Sequence, residues 1–193
     1  MRRLASTLLV GAVAFLGGYA TRSVSKVSAQ NLPAPEQPLH AVVQGQGLYF
    51  SGEEIKKIYE ALPKDRGAGT TLAGTPQYRL SILVRQYFDP PKMTNTSQMM
   101  SHYGDGEMHE DHTQLYMILD GTGTVVVGGK ATKERSSTPG QHGGGPVEGG
   151  TAYKVKPGDW ILIPPYAWHQ ALPDPGGLRY GMVDIYTRTN MDN

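Results

Sequence analysis

The chain has no cysteine, which excludes disulfides, thiolate catalysis and cysteine-ligated zinc. Aromatic residues make up 8% of it, with 2 Trp and 3 Phe, and charged residues only 18%. Neither charge sign dominates: 18 Lys and Arg face 17 Asp and Glu, a formal net charge of +1. No basic cluster marks a nucleic-acid surface. Long helical periodicities are also missing. In their place stand 25 Gly and 14 Pro in 193 residues, a composition that favours many short strands joined by turns.

The charge balance shifts once the N-terminus is set apart. Arg2 and Arg3 precede Leu4–Ala20, a run of 17 uncharged residues rich in Leu, Val and Ala. A basic start followed by such a run reads as an export signal. Gly18-Tyr19-Ala20 and Val27-Ser28-Ala29 both offer small-x-small cleavage sites. The alternative is an uncleaved anchor formed by residues 4–20, a short span for a hydrocarbon layer of roughly 30 Å. Removing residues 1–29 takes away Arg2, Arg3, Arg22 and Lys26; 18 cations become 14 against 17 anions, net −3. The expected product is a weakly acidic periplasmic or secreted protein.

Residues 30–77 are expected to form an arm and one helix. Pro33, Pro35 and Pro38 make the arm extended, and Val42-Val43 could pair as an edge strand. Ser51 and Glu54 have the spacing of a capping box. Ile55, Ile58, Tyr59 and Leu62 follow at helical spacing before Pro63 closes the helix. Residues 64–77 read as a Gly/Thr-rich loop, residues 78–88 as a strand and residues 92–105 as a loop. Leu115–Leu119 is an apolar strand, Asp120-Gly121 a hairpin signal, and 123–127 the returning strand. Residues 128–150 hold eight glycines and read as a flexible loop. No strand-then-helix context supports a phosphate loop there. Residues 153–155, 160–163 and 178–186 complete the strands.

Two segments carry the chemistry. The first runs from Glu107 through His109, Glu110, His112 and Gln114 to Gly121 and Gly123. The second runs Gly158-Asp159-Trp160-Ile161-Leu162-Ile163-Pro164-Pro165-Tyr166-Ala167-Trp168-His169. These resemble the two motifs of the cupin superfamily, in "LYMILDGTGTVVVGG" and "KPGDWILIPPYAWH". The resemblance covers about 110 residues. It implies an all-β, single cupin domain (a double-stranded β-helix, or jelly-roll barrel) over residues 78–189, with a short N-terminal helix before it.

It also implies a site for a divalent transition metal: Fe, Mn, Ni or Zn. In register with Gly121, the inherited ligands fall on Glu107, His109, Gln114 and His169, with His112 as an extra imidazole close by. The family carries a second His where Glu107 stands and a carboxylate where Gln114 stands. A neutral amide binds such ions poorly, so Gln114 would lower affinity or leave a position open. Strand parity places Glu107 with His109, and His112 with Gln114 and Tyr116. A bend between Glu110 and Thr113 is then needed to bring the two groups together.

Glu107 or Glu110, where not ligated, could serve as general base. Arg85, Tyr116, Trp168 and Tyr180 are candidates for the substrate pocket, and an inward Arg85 would favour an anionic substrate. His40, His102 and His142 are expected outside the site. The function implied is a metal-dependent enzyme on a small organic molecule, of oxygenase, isomerase or lyase type. The alternative is a non-catalytic periplasmic cupin that binds or senses a small ligand. A homodimer, paired through an edge strand or the N-terminal arm, is a further expectation. Membrane contact is expected only through an uncleaved N-terminus.

Overall fold

A computed structural model describes residues 38–187; the expected signal segment and the start of the expected arm, residues 30–37, lie outside them. Among the described residues, no helix is long and apolar enough to cross a membrane. The expected helix is present as α1, Gly52–Ala61, with Ser51 as its N-cap. The Ser51 hydroxyl accepts from the Glu54 amide at 3.1 Å, satisfying one of the amides that a helix start leaves unpaired. Ile55, Ile58, Tyr59 and Leu62 are half-buried, and the helix packs against strand β2.

The strands are β1 Ala68–Thr75, β2 Tyr78–Arg85, β3 Gly106–His109, β4 His112–Val127, β5 Lys130–Ala131, β6 Arg135–Thr138, β7 Gln141–Gly144, β8 Val147–Glu148, β9 Thr151–Val155, β10 Trp160–Ile163 and β11 His169–Tyr186. A second helix, α2, spans Thr96–Tyr103. Two of these strands are very long, and they organise the rest. The C-terminal half of β11 pairs with β2 on one side and the first half of β4 on the other. Adding β1 and β10 completes one layer. The N-terminal half of β11 pairs with the second half of β4 and meets β3 at His169–Glu107. With β9, β7 and β6 this forms the second layer. All the pairings are antiparallel, and β4 and β11 run from one layer into the other.

Besides α2, which stands within residues 92–105 where a loop was expected, three strand expectations need correction. Asp120-Gly121 is not a hairpin turn, because the strands on both its sides pair with β11 rather than with each other. The inward phase of β4 changes there instead. His112, Gln114, Tyr116 and Ile118 are buried before it, Gly123 and Val125 after it. Gly121 sits at φ +74°, and a Cβ there would overlap the Gly177 carbonyl oxygen. The Asp-Gly pair thus bends a continuous strand, with a matching register shift in β11 between Pro173 and Leu178. Second, residues 68–75 form β1 rather than loop, since Ala68, Gly69 and Thr70 find register partners in β2. Third, residues 128–150 are not open loop but four short strands: β5 with β8, and β6 with β7 against β3.

Val42 and Val43 form no strand. The chain just before them docks on β1 instead, with Leu39 and His40 amides donating to the Thr71 and Leu72 carbonyls. Between the layers lies a core of Tyr116, Ile118, Val125, Val155, Ile163, Ala171, Leu178, Tyr180 and Met182. Burying each Val, Leu, Ile or Met side chain there stabilises the fold by about 1.5–3 kcal/mol.

Candidate metal centre

The site is a cross-strand patch. In an antiparallel sheet, directly opposed residues project from the same face. Glu107 on β3 opposes His169 on β11, and His109, two residues on, opposes Gln141 on β7. Glu107, His109, Gln141 and His169 therefore share one face. Each of Glu107, His109 and His169 offers a ligand atom, and these atoms all lie within 4.8 Å of one another. The second motif is tied to the first at this point, the Tyr166 amide donating to the His109 carbonyl at 2.7 Å. Tyr166 reaches that carbonyl in a left-handed conformation, φ +64°, uncommon for a residue with a side chain.

The bend needed between Glu110 and Thr113 is there, at Glu110-Asp111, separating β3 from β4. It turns His112 inward until its ring stacks on His109, 4.3 Å between centroids. His109 and His169 rings are 5.3 Å apart.

The outer nitrogens of these rings are engaged. His169 Nδ1 meets the Ala167 carbonyl at 3.1 Å. His109 Nδ1 meets Gln141 Oε1, and His112 Nδ1 meets Asp111 Oδ1 at 2.7 Å. The Nε2 atoms of all three are buried without a hydrogen-bond partner. Buried polar atoms are seldom left so. An imidazole held at Nδ1 with its Nε2 bare is arranged as a metal ligand is. Two imidazoles and a carboxylate suit a divalent first-row transition ion. Burial pushes the pKa of His169 down to about 4, against the opposing pull of Glu107. His109 is lowered as well, by burial and then by His112. Both rings stay neutral at physiological pH, the state that binds metal.

Gln114 and His112 stand outside this triad. The Gln114 amide donates to Asp184 Oδ1 at 3.0 Å and accepts from the Tyr116 hydroxyl at 3.2 Å. Asp184 is fully buried and also receives Arg79, with Nη2 at 2.6 Å and Nε at 2.8 Å from Oδ2. Gln114 is thus occupied in a buried polar chain from Arg79 to Tyr116. His112 Nε2 lies 3.6 Å from Asp184 Oδ1, next to the same chain.

Glu110 turns the other way, its carboxylate 2.8 Å from His142 Nε2, so it does not join Glu107 as a base. His142 opposes Met108 across β3–β7, on the face away from the triad. Trp168 packs edge-on to His142 at 6.4 Å and is buried, which puts it behind the site rather than on its rim. Arg85, Tyr116 and Tyr180 do face the interior. Arg85 Nη2 is 3.9 Å from Glu107. Tyr116 stacks on Tyr180 at 4.5 Å and stands 6.1 Å from His169. Tyr180, then Glu107, raise the Arg85 pKa against its burial, and burial holds Tyr116 as a neutral phenol. His40 and His102 lie elsewhere, against Glu54 and Phe50 and against Tyr87 and the Phe88 amide respectively.

Gln141, Asp111 and Asp184 are site residues that the motifs do not reveal. Asp184 does leave a trace: it follows Leu178, Tyr180 and Met182 at two-residue spacing, an acid in phase with core positions. Gln141, among glycines and belonging to neither motif, leaves none.

The chain has the cupin fold: a two-layered antiparallel barrel in which a Glu-x-His strand and a Gly-Asp…Pro…His strand bring their polar ends together. No protein-family model matches the chain, and no curated protein does. Solved structures with related folds include the DMSP lyase DddQ from Ruegeria pomeroyi DSS-3, at 13% identity and TM-score 0.42, covering 69% of this chain and 53% of that one. This chain therefore spans about half the length of that lyase. KdgF from Halomonas sp. is similar at 15% identity and TM-score 0.39, over 65% of this chain and 83% of its own. An RmlC-like cupin from Shewanella frigidimarina NCIMB 400 is similar at 14% identity and TM-score 0.40, over 64% and 79%. Likenesses of this order carry nothing about the chemistry, which must come from the residues in place.

Proposed function

We propose that the protein is a metal-dependent cupin enzyme acting on a small carboxylate-bearing molecule, with Glu107, His109 and His169 as metal ligands. One observation carries this reading: three donor atoms from two strands converge within 4.8 Å, and both imidazoles among them present a buried, unpartnered Nε2. An iron, manganese, nickel or zinc ion held there would supply a Lewis acid.

The chain's own residues do the rest. Neutral His109 and His169 supply lone pairs without competition from protons. Glu107 adds the one negative charge of the set. Arg85, charged and mostly enclosed, holds its guanidinium 3.9 Å from Glu107 beside the triad, and this cation is the anchor for the substrate carboxylate. Tyr116 and Tyr180, both buried, stack beside His169 and shield it from water. In the same proposal residues 1–29 direct export, and N-terminal sequencing of the exported protein should begin after Ala20 or Ala29.

Elemental analysis of purified wild type, His109→Ala, His169→Ala and Arg85→Met tests the assignment. Wild type and Arg85→Met should carry stoichiometric transition metal, and both histidine variants should lose it while keeping their β-sheet circular dichroism. Arg85→Met should also lose affinity for a simple dicarboxylate such as malonate. A metal-free wild type that takes up none of the four ions on reconstitution would end the proposal.

A further inference from the structure

We propose that Asp111 and Gln141 form a relay that sets the tautomer of His109 and His112, with Gln141 as the positioning residue for His109. The metal half of this inference rests on the function proposed above; the tautomer half does not.

Hydrogen-bonding capacity fixes the direction of every link. Gln141 Nε2 lies 3.0 Å from Asp111 Oδ1. A carboxylate only accepts, so the NH2 end of the amide must face Asp111. The amide oxygen then faces His109, where Oε1 meets Nδ1. An amide oxygen cannot donate, so the proton between them belongs to His109 Nδ1. The ring is neutral, and its Nε2 is left as a bare lone pair. The same Asp111 oxygen lies 2.7 Å from His112 Nδ1, and by the same logic that ring also carries its proton on Nδ1. One surface-reaching carboxylate therefore sets two stacked imidazoles, one directly and one through an amide.

The placement is built into the strands. Gln141 is the register partner of His109. The Glu110 amide is bonded to the Gly140 carbonyl at 2.9 Å. On the opposite face His142 is held between Glu110 at 2.8 Å and Glu134 at 3.4 Å. The β7 backbone at Gln141 is thereby held against β3, and it cannot move away without breaking the His142 contacts. The glycine-rich stretch thus brings a residue from outside both motifs to the back of a candidate ligand.

The test uses the full-length protein, metal-free, with 15N-labelled histidine, at a pH where the rings are neutral. Long-range 15N–1H spectra report which nitrogen of each ring is protonated. In wild type both His109 and His112 should carry the proton on Nδ1. Gln141→Leu should move His109 towards the Nε2-protonated form that free imidazole side chains favour and leave His112 unchanged. Asp111→Ala, which removes the acceptor shared by Gln141 and His112, should loosen both. Gln141→Glu combined with Asp111→Asn restores an obligate acceptor opposite His109 and should return its proton to Nδ1. Zn2+ affinity, measured by chelator competition, should fall about 10–100-fold in Gln141→Leu and recover in the double variant. A His109 that keeps its Nδ1 proton in Gln141→Leu, or that carries it on Nε2 in wild type, overturns the relay. Should Gln141→Leu not fold, Asp111→Ala, which removes the shared acceptor, decides alone: unchanged tautomers there overturn it equally. Tautomers that respond as stated in a wild type that binds no Zn2+ would sustain the relay and sink the metal site.

Discussion

His169 owes its chemistry to burial. Its folded pKa of about 4 lies below the ordinary 6.5, so between those values the unfolded chain binds the proton and the folded chain does not. Stability of the metal-free protein should therefore be full above pH 6.5 and fall as pH drops towards 4, by about 1.4 kcal/mol per pH unit for this one group. His109 acts in the same direction. Urea unfolding across that range checks it, and a flat profile would contradict the burial of these rings. Asp184 sets a second expectation. It is buried between Arg79, which is half exposed, and Gln114. Asp184→Ala strands the Gln114 amide and removes the partner of a cation, and should cost about 3 kcal/mol in thermal or urea unfolding. At this scale the site was legible only inside the motifs. The resemblance implied Glu107, His109, Gln114 and His169 as ligands, and three of these four stand together in the structure. It could not locate Gln141, because nothing local specifies that residue 141 returns to residue 109. It also could not tell that Gln114 is held by a partner 70 residues away.

At the scale of elements, the helix signal was legible because it is local: an N-cap, a spacing and a proline lie within one stretch of chain. The Asp120-Gly121 signal was local too, yet its consequence was not. Asp-Gly permits a positive φ, and a hairpin or a bulge can each use it. The choice was made by β11, which pairs on both sides of the bend. Gly121→Ala should therefore be severe. It places a side chain at φ +74° and against the Gly177 backbone, so a loss of at least about 2 kcal/mol is expected in chemical unfolding. Gly128 also has positive φ, +83°, but open space around it. Gly128→Ala should bear only the conformational part, about 1 kcal/mol, and serves as the control. β1 and the ribbon of residues 130–148 escaped sequence reading for a related reason. Their glycines and threonines lack hydrophobic alternation, and they become strands because β2 and β3 offer partners.

Across the whole molecule, the two motifs lie on different strands and meet only when the barrel closes. The register between them is narrow. β3 holds β7 through four residue pairs but touches β11 through one, Glu107 with His169, supplemented by the Tyr166–His109 backbone bond. The flanking pairs of β11 with β2 and β4 are far more extensive. Amide hydrogen exchange on the metal-free chain should show that inequality, with the Tyr166 amide exchanging orders of magnitude faster than those of Tyr180 and Met182. Equal protection of all three would contradict it. Where one seam of a barrel is so lightly stitched and the candidate ligands straddle it, an ion bound across the seam becomes a rivet. Loading should slow Tyr166 exchange and protect the β3–β11 join from proteases, while the heavily paired side of the barrel stays as it was.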